Sequence, residues 1–190
     1  MPKALTLTDP QIDKALAAID GWSKTPERDA LMLLLTFRAG LRSQEVALLN
    51  WEHVTDAEGR LTHTLHVTNK VAKYGRERFI PMRDDLRERI QAWMAQADRR
   101  VGPMFPDRWG KQITPNAVQQ KIARIYDRAG FQGASSHSGR RTFGTRAARQ
   151  ANRVGCSLRD VQALLGHADI KTTESYIDVS EQRAKLVGII

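Results

Sequence analysis

Apolar residues recur at helical spacing over most of the chain and at strand spacing over one stretch in its first half. Ile12, Leu16 and Ile19 form a helical stripe that starts after Thr8-Asp9-Pro10, a capping side chain followed by proline, and stops at Gly21. A second start at Thr25-Pro26-Glu27 leads into Leu31, Leu34, Leu35 and Ala39, apolar on most of its circumference, and predicts a central core helix ended by Gly40. The spacing is helical again at Leu86, Ile90, Trp93 and Met94, and at Val118, Ile122 and Ile125 behind Thr114-Pro115. Ser157-x-x-Asp160 is a capping box ahead of Leu158, Val161, Leu164 and Leu165. A last short helix is expected from Ser180, with apolar Leu186, Val187, Ile189 and Ile190.

Between Trp51 and Met82 the period becomes two. Leu61, His63, Leu65 and Val67 alternate with Thr62, Thr64, His66 and Thr68, and Arg76–Pro81 returns as a partner strand. With a first strand at Trp51–Thr55, this predicts a small antiparallel three-stranded sheet within an α+β, mainly helical, single domain over residues 1–190. The connection Asn69-Lys70-Val71-Ala72-Lys73-Tyr74-Gly75 is basic. His63 and His66 are an odd number apart, on opposite strand faces, so they make no metal site. No metal and no cofactor is expected.

Charge changes the picture from a helical domain to a polyanion-binding one. The chain has 30 Lys+Arg against 21 Asp+Glu, formally +9. The excess is local: Lys121–Arg153 holds eight bases and one acid, whereas the first thirty residues hold four bases and five acids. A concentrated basic stretch points to nucleic acid, whose binding is dominated by phosphate neutralisation. Cys156 is the one cysteine, so no disulfide forms within the chain, and no apolar run reaches membrane-spanning length. An intracellular, cytoplasmic protein associated with the nucleoid is expected.

The chemistry-bearing residues fall in short motifs. In GLRSQE, Arg42 stands at the mouth of a short helix with Glu45 on the same face: a helix-end ion pair, or a guanidinium held toward a phosphate. In SHSGRR, His137 and Arg140 share the first turn of a helix, where free backbone N–H groups already favour an anion. LLGH brings His167, and Tyr176 follows nine residues later. Each has a plain structural reading, since Gly166 can simply stop a helix and a lone tyrosine is usually half-buried. Taken together, two arginines can grip the non-bridging oxygens of a phosphodiester while a phenol attacks. A free phenol titrates near ~10, so it needs cationic neighbours or a base. Lys73, with Lys70 as its rival, is placed to protonate the leaving hydroxyl.

This order resembles the catalytic domain of the tyrosine recombinases, the phage-integrase family: Arg in GLRSQE, Lys in a hairpin ahead of RFIP, HSGR, LLGH, then Tyr. The resemblance runs from about Leu31 to Ile177. It implies Arg42 and Arg140 as phosphate clamps, Tyr176 as nucleophile, His137 assisting proton transfer, His167 on the scissile phosphate and Glu45 buttressing Arg42. Lys73 matches the family's hairpin lysine by its eight-residue distance to Pro81; Lys70 does not. Lys70, Lys121, Arg124, Arg141 and Arg146 are the expected further DNA contacts. At HSGRR the family often has an acid, a Leu and a second His where this chain has Ser138, Gly139 and Arg141. The family usually carries a separate N-terminal helical domain, whereas only about thirty residues precede the central helix here, so either a minimal recombinase or a relic or isolated domain is expected.

The resemblance implies a site-specific recombinase or integrase that cuts and rejoins double-stranded DNA through a 3′-phosphotyrosine, without metal or ATP. It also implies a homo-tetramer on paired DNA sites, monomeric or weakly dimeric without DNA, with the segment at about 180–190 exchanged between protomers. A type IB topoisomerase shares the chemistry, and a DNA-binding regulator that lost the reaction shares the fold.

Overall fold

The computed structural model describes residues 4–72, 75–97 and 100–176. Its elements in order are α1 (Asp9–Asp20), α2 (Pro26–Arg38), α3 (Ser43–Ala47), β1 (Thr64–Val67), β2 (Arg78–Pro81), α4 (Asp84–Gln96), α5 (Pro115–Arg128), α6 (Ser138–Gln150), α7 (Leu158–Leu165) and α8 (Ile170–Glu174). The fold class is the expected one, mainly helical with a small antiparallel sheet. Among the described residues, no helix is long and apolar enough to cross a membrane.

Helix α2 is the axis of the fold. Every residue from Asp29 to Phe37 is buried, and α1, α4, α5 and α6 all pack on it. Its all-round apolar surface demands such a position, because no face of it could be left in water without losing burial free energy. The polar exception in its middle, Thr36, satisfies its hydroxyl by donating to the Leu33 carbonyl at 2.7 Å. Helix α6 approaches α2 closely at this point. A Cβ at Gly139 would sit 1.9 Å from Thr36 Oγ1, so no side chain fits there without moving a helix. Gly139 is therefore required by the packing of this chain.

The sheet has two strands among the described residues, not three. β1 and β2 pair antiparallel in the register Thr64↔Pro81, Leu65↔Ile80, His66↔Phe79 and Val67↔Arg78. The expected first strand is instead a 3-10 turn at Trp51–His53. The Asn50 N–H donates to His53 Nδ1 at 2.8 Å, and the Thr55 hydroxyl and amide both return to the Trp51 carbonyl. These local bonds compete with extension, which the period-two reading alone did not reveal. Thr55 keeps a single bridge to Leu61 as the remnant of pairing. His63 is exposed, and His66 stacks on Phe79 while its Nε2 meets Glu77, so the two histidines diverge as their odd spacing requires.

Candidate active site

The site gathers at the C-terminal end of α2. Gly40 turns the chain there with φ +62°, in a space closed by the Phe143 ring and Leu165. The chain then enters α3 with Arg42 at its N-cap. Glu45, in the first turn of α3, accepts from the Arg42 backbone N–H at 2.9 Å and from Arg42 Nη1 at 3.1 Å. Its side chain is wholly buried, and it also accepts both terminal nitrogens of Arg78 from β2, at 3.1 and 2.8 Å. Arg140 Nη1 lies 3.9 Å from the same carboxylate. One buried acid thus faces three guanidinium groups from three segments. Burial by itself would raise the Glu45 carboxyl; hydrogen bonding and charge from Arg78, the Arg42 backbone N–H and the charge of Arg140 override it, and its pKa is lowered.

Arg140 is set from the other half of the chain. It stands in the first turn of α6, behind His137 at the N-cap. Its Nη1 donates to the Gly40 carbonyl and its Nη2 to the Leu165 carbonyl. Burial, with Arg42's charge second, pulls its pKa down to about 10, which still leaves it charged at neutral pH. Two of its five N–H donors are therefore fixed by backbone carbonyls.

His167 follows Gly166, which caps α7 in the left-handed conformation at φ 62°. The imidazole is buried, and its Nδ1 shares a hydrogen bond with Thr173 Oγ1 at 2.9 Å. Burial, then the charges of Arg140, Arg42 and Arg78, lower its pKa to about 4, so the ring is neutral at physiological pH. Tyr176, just after α8, lies parallel to the imidazole with ring centroids 5.7 Å apart. The Arg141 guanidinium stands 5.7 Å from the tyrosine ring centroid, and Gly144 leaves room for the ring's face.

Arg42, His137, Arg140, Arg141, His167 and Tyr176 all line one cleft of about 850 Å³. The structure thus brings together five of the six residues expected to be catalytic, and Glu45 lies directly beneath them. Lys73 lies outside the described residues, as does the segment at about 180–190. Lys70 is exposed and lines a neighbouring hollow with Glu77 and Gln112. Of the further basic residues, Arg146 pairs with Asp9 at 2.7 Å. Lys121 pairs with buried Asp29 at 2.8 Å, and both Lys121 and Arg124 lie over the Trp22 ring. None of these three lines the cleft.

Sequence reasoning missed two residues here. Thr173 fixes one imidazole nitrogen, and its position three before Tyr176 carried no signal of that. Arg78 did carry one, since in β2 it alternates onto the same inward face as Ile80. A charged residue on the apolar face of a strand requires a buried partner, and Glu45 is that partner.

The sequence pattern that defines the phage integrase family matches residues 6–183. The chain belongs to the phage integrase family. Among curated members, it is 30% identical over 187 residues to the tyrosine recombinase XerD of Vibrio cholerae, spanning 94% of this chain and 58% of that one. It is 33% identical over 176 residues to the tyrosine recombinase XerC of Pseudomonas aeruginosa, spanning 90% and 54%. The chain therefore spans somewhat more than half the length of these relatives. Among solved structures it superposes on XerA recombinase with TM-score 0.72 at 20% identity, covering 99% of this chain and 65% of XerA. On the integrase from mycobacterium phage Brujita the TM-score is 0.64 at 29% identity, covering 96% and 55%. XerH recombinase, solved bound to its palindromic difH substrate after cleavage, gives TM-score 0.73 at 22% identity, covering 98% of this chain and 53% of XerH. These integrase-family structures share the fold described above.

Proposed function

We propose that this chain carries out site-specific DNA strand transfer: it cuts one strand of a duplex with Tyr176, holds the end as a 3′-phosphotyrosine, and rejoins it to a different 5′-hydroxyl. The supporting observation is that Arg42, His137, Arg140, His167 and Tyr176, from four separate segments, line one cleft over a buried Glu45.

The steps follow from those groups. Arg42 and Arg140 hold the two non-bridging oxygens, neutralising the charge that grows there during in-line attack. The Tyr176 oxygen forms a bond to phosphorus as the bond to the 5′-oxygen breaks. The phenol's proton is lost toward His137, and the leaving 5′-oxygen takes a proton from Lys73. Of the two neutral tautomers of His167, the one with Nδ1 accepting from the Thr173 hydroxyl carries its proton on Nε2 and can donate it to a phosphoryl oxygen. The phosphotyrosine conserves the bond energy, so reversal by a partner's 5′-hydroxyl needs no nucleotide. Recombination of this kind takes two duplex sites and four protomers, at the nucleoid in the cytoplasm. Lys70 and Arg141 are placed for neighbouring phosphates.

A pool of duplexes of randomised sequence, each nicked so that the cleaved end diffuses away, tests the reading whatever the target sequence is. A covalent protein–DNA adduct that survives denaturation is expected from the wild-type chain and not from Tyr176→Phe. Failure of the wild-type chain to form any adduct with the pool contradicts it.

A further inference from the structure

We propose that Arg78 is a positioning residue of this reaction: acting through Glu45, it sets the direction in which Arg42 and Arg140 present their guanidinium groups to the phosphate. The inference rests on the cleft being a phosphodiester site and adds to it a residue that does not touch the substrate. Arg42 and Arg140 line the cleft; Arg78 does not.

Three nitrogens of Arg78 are committed inside the protein. Nη1 and Nη2 meet the two Glu45 oxygens at 3.1 and 2.8 Å, and Nε donates to the Leu164 carbonyl at 3.1 Å. The side chain is 5% exposed. A carboxylate held by one point contact can rotate, whereas a fork on both oxygens fixes its plane. With that plane fixed, Glu45 Oε2 is aimed at the Arg42 backbone N–H and Oε1 at Arg42 Nη1, and Arg140 Nη1 stands 3.9 Å from Oε2. The other end of the contact reaches the same machinery. Leu164 precedes Leu165, whose carbonyl holds Arg140 Nη2, and Gly166, where a Cβ would lie 3.1 Å from Arg78 Nη1. His167 is next in the chain. Arg78 also pairs across the sheet with Val67, the last rung before the connection that carries Lys73. Through its backbone and its side chain, this one residue therefore ties Val67 at the end of β1, the acid of α3 and the end of α7 into one unit.

Lysine at this position keeps the charge and loses the fork, which separates positioning from electrostatics. Arg78→Lys and Arg78→Met are made in the full chain, and melting curves establish which are folded. Side-chain NMR on protein carrying 15N-arginine then reads whether the Arg42 guanidinium is still held. Adduct formation on the nicked pool is measured in single turnover, alone and with Glu45→Gln. In both folded variants Arg42 should lose its slowly exchanging N–H signals, and adduct formation should slow roughly tenfold or more. Added to Glu45→Gln, either change should cost little further. Unchanged Arg42 signals in a folded variant overturn the proposal, as do losses that multiply with Glu45→Gln. Failure of both variants to fold also overturns it, since Arg78 is then a stability residue. If the wild-type chain forms no adduct, the strand-transfer reading fails, and the NMR signals alone decide whether Arg78 orients Arg42.

Discussion

The two ends of α2 carry the same kind of chemistry and use it differently. At the N-terminal end Asp29 is wholly buried and accepts from Ser23 Oγ at 2.6 Å, from Arg28 and from Lys121. At the C-terminal end Glu45 is wholly buried and meets Arg42, Arg78 and Arg140. Both are acids sealed among cations, and composition does not tell them apart. The difference lies in where the leftover charge goes. At Asp29 the lysine is spent on the carboxylate and on the Trp22 face, which locks α1, α2 and α5 together. At Glu45 one acid serves three guanidinium groups, two of which still border an open cleft. Asp29 bolts helices together, whereas the acid of α3 keeps two of its three guanidinium groups on the cleft.

The two ends of α2 should differ most at their cations. Arg140→Ala removes a charge the account gives to the reacting phosphate, and adduct formation should fall about 100- to 1,000-fold, as when a transition-state donor is lost. Lys121→Met should leave the rate per folded molecule unchanged and lower the melting temperature. Equal rate losses in the two variants would erase the distinction. The acids themselves come next. Glu45→Gln leaves three guanidinium groups facing one another without a counter-charge, which should cost ~3–5 kcal/mol in chemical denaturation and slow cleavage as well. Asp29→Asn keeps Ser23 and the half-open cations hydrated, and should cost ~1–3 kcal/mol with no change in cleavage per folded molecule.

Acid provides a milder lever. His167 has a folded pKa of about 4, below the ordinary value of 6.5. Between those values the unfolded chain binds a proton that the folded one refuses, so stability present above about pH 6.5 is lost as the pH falls toward 4. His167→Asn should flatten that part of the stability profile, measured by denaturant titration across the range. An unaltered slope would mean that the imidazole is not held neutral. The smallest effect is in salt dependence. Arg141→Ala should reduce the slope of log affinity for duplex DNA against log salt by about 0.9, one phosphate contact. Lys121→Met should leave it alone, because Asp29 already neutralises that charge.

Most of the site was legible because its residues sit beside turn and cap signals that need no tertiary information. Gly40 and Gly166 announced the turns that deliver Arg42 and His167, and the pattern of the first turn of α6 put His137 and Arg140 side by side. The helices were legible for the same reason, through Thr8, Thr25, Thr114 and Ser157 at their starts. What was not legible depends on partners far apart in the chain. The bond from Arg78 to Glu45 spans 33 residues and that from Arg140 to Gly40 spans 100, and neither leaves a local trace beyond an odd charge on an apolar face. The strand expected at Trp51–Thr55 failed for the opposite reason. A histidine ring and a threonine hydroxyl settled the backbone locally into a turn, and Trp51 and Val54 are buried without strand pairing.

Tyr176 as the proposed nucleophile can be tested cleanly, because the chain has three tyrosines: Tyr74, Tyr126 and Tyr176. Tyr126 is 1% exposed in the core and cannot reach DNA. The direct measurement is mass spectrometry of the peptide that carries the nucleotide after the covalent adduct is digested with protease and nuclease. The nucleotide is expected on Tyr176. A nucleotide on Tyr74, or on any residue other than a tyrosine, contradicts it.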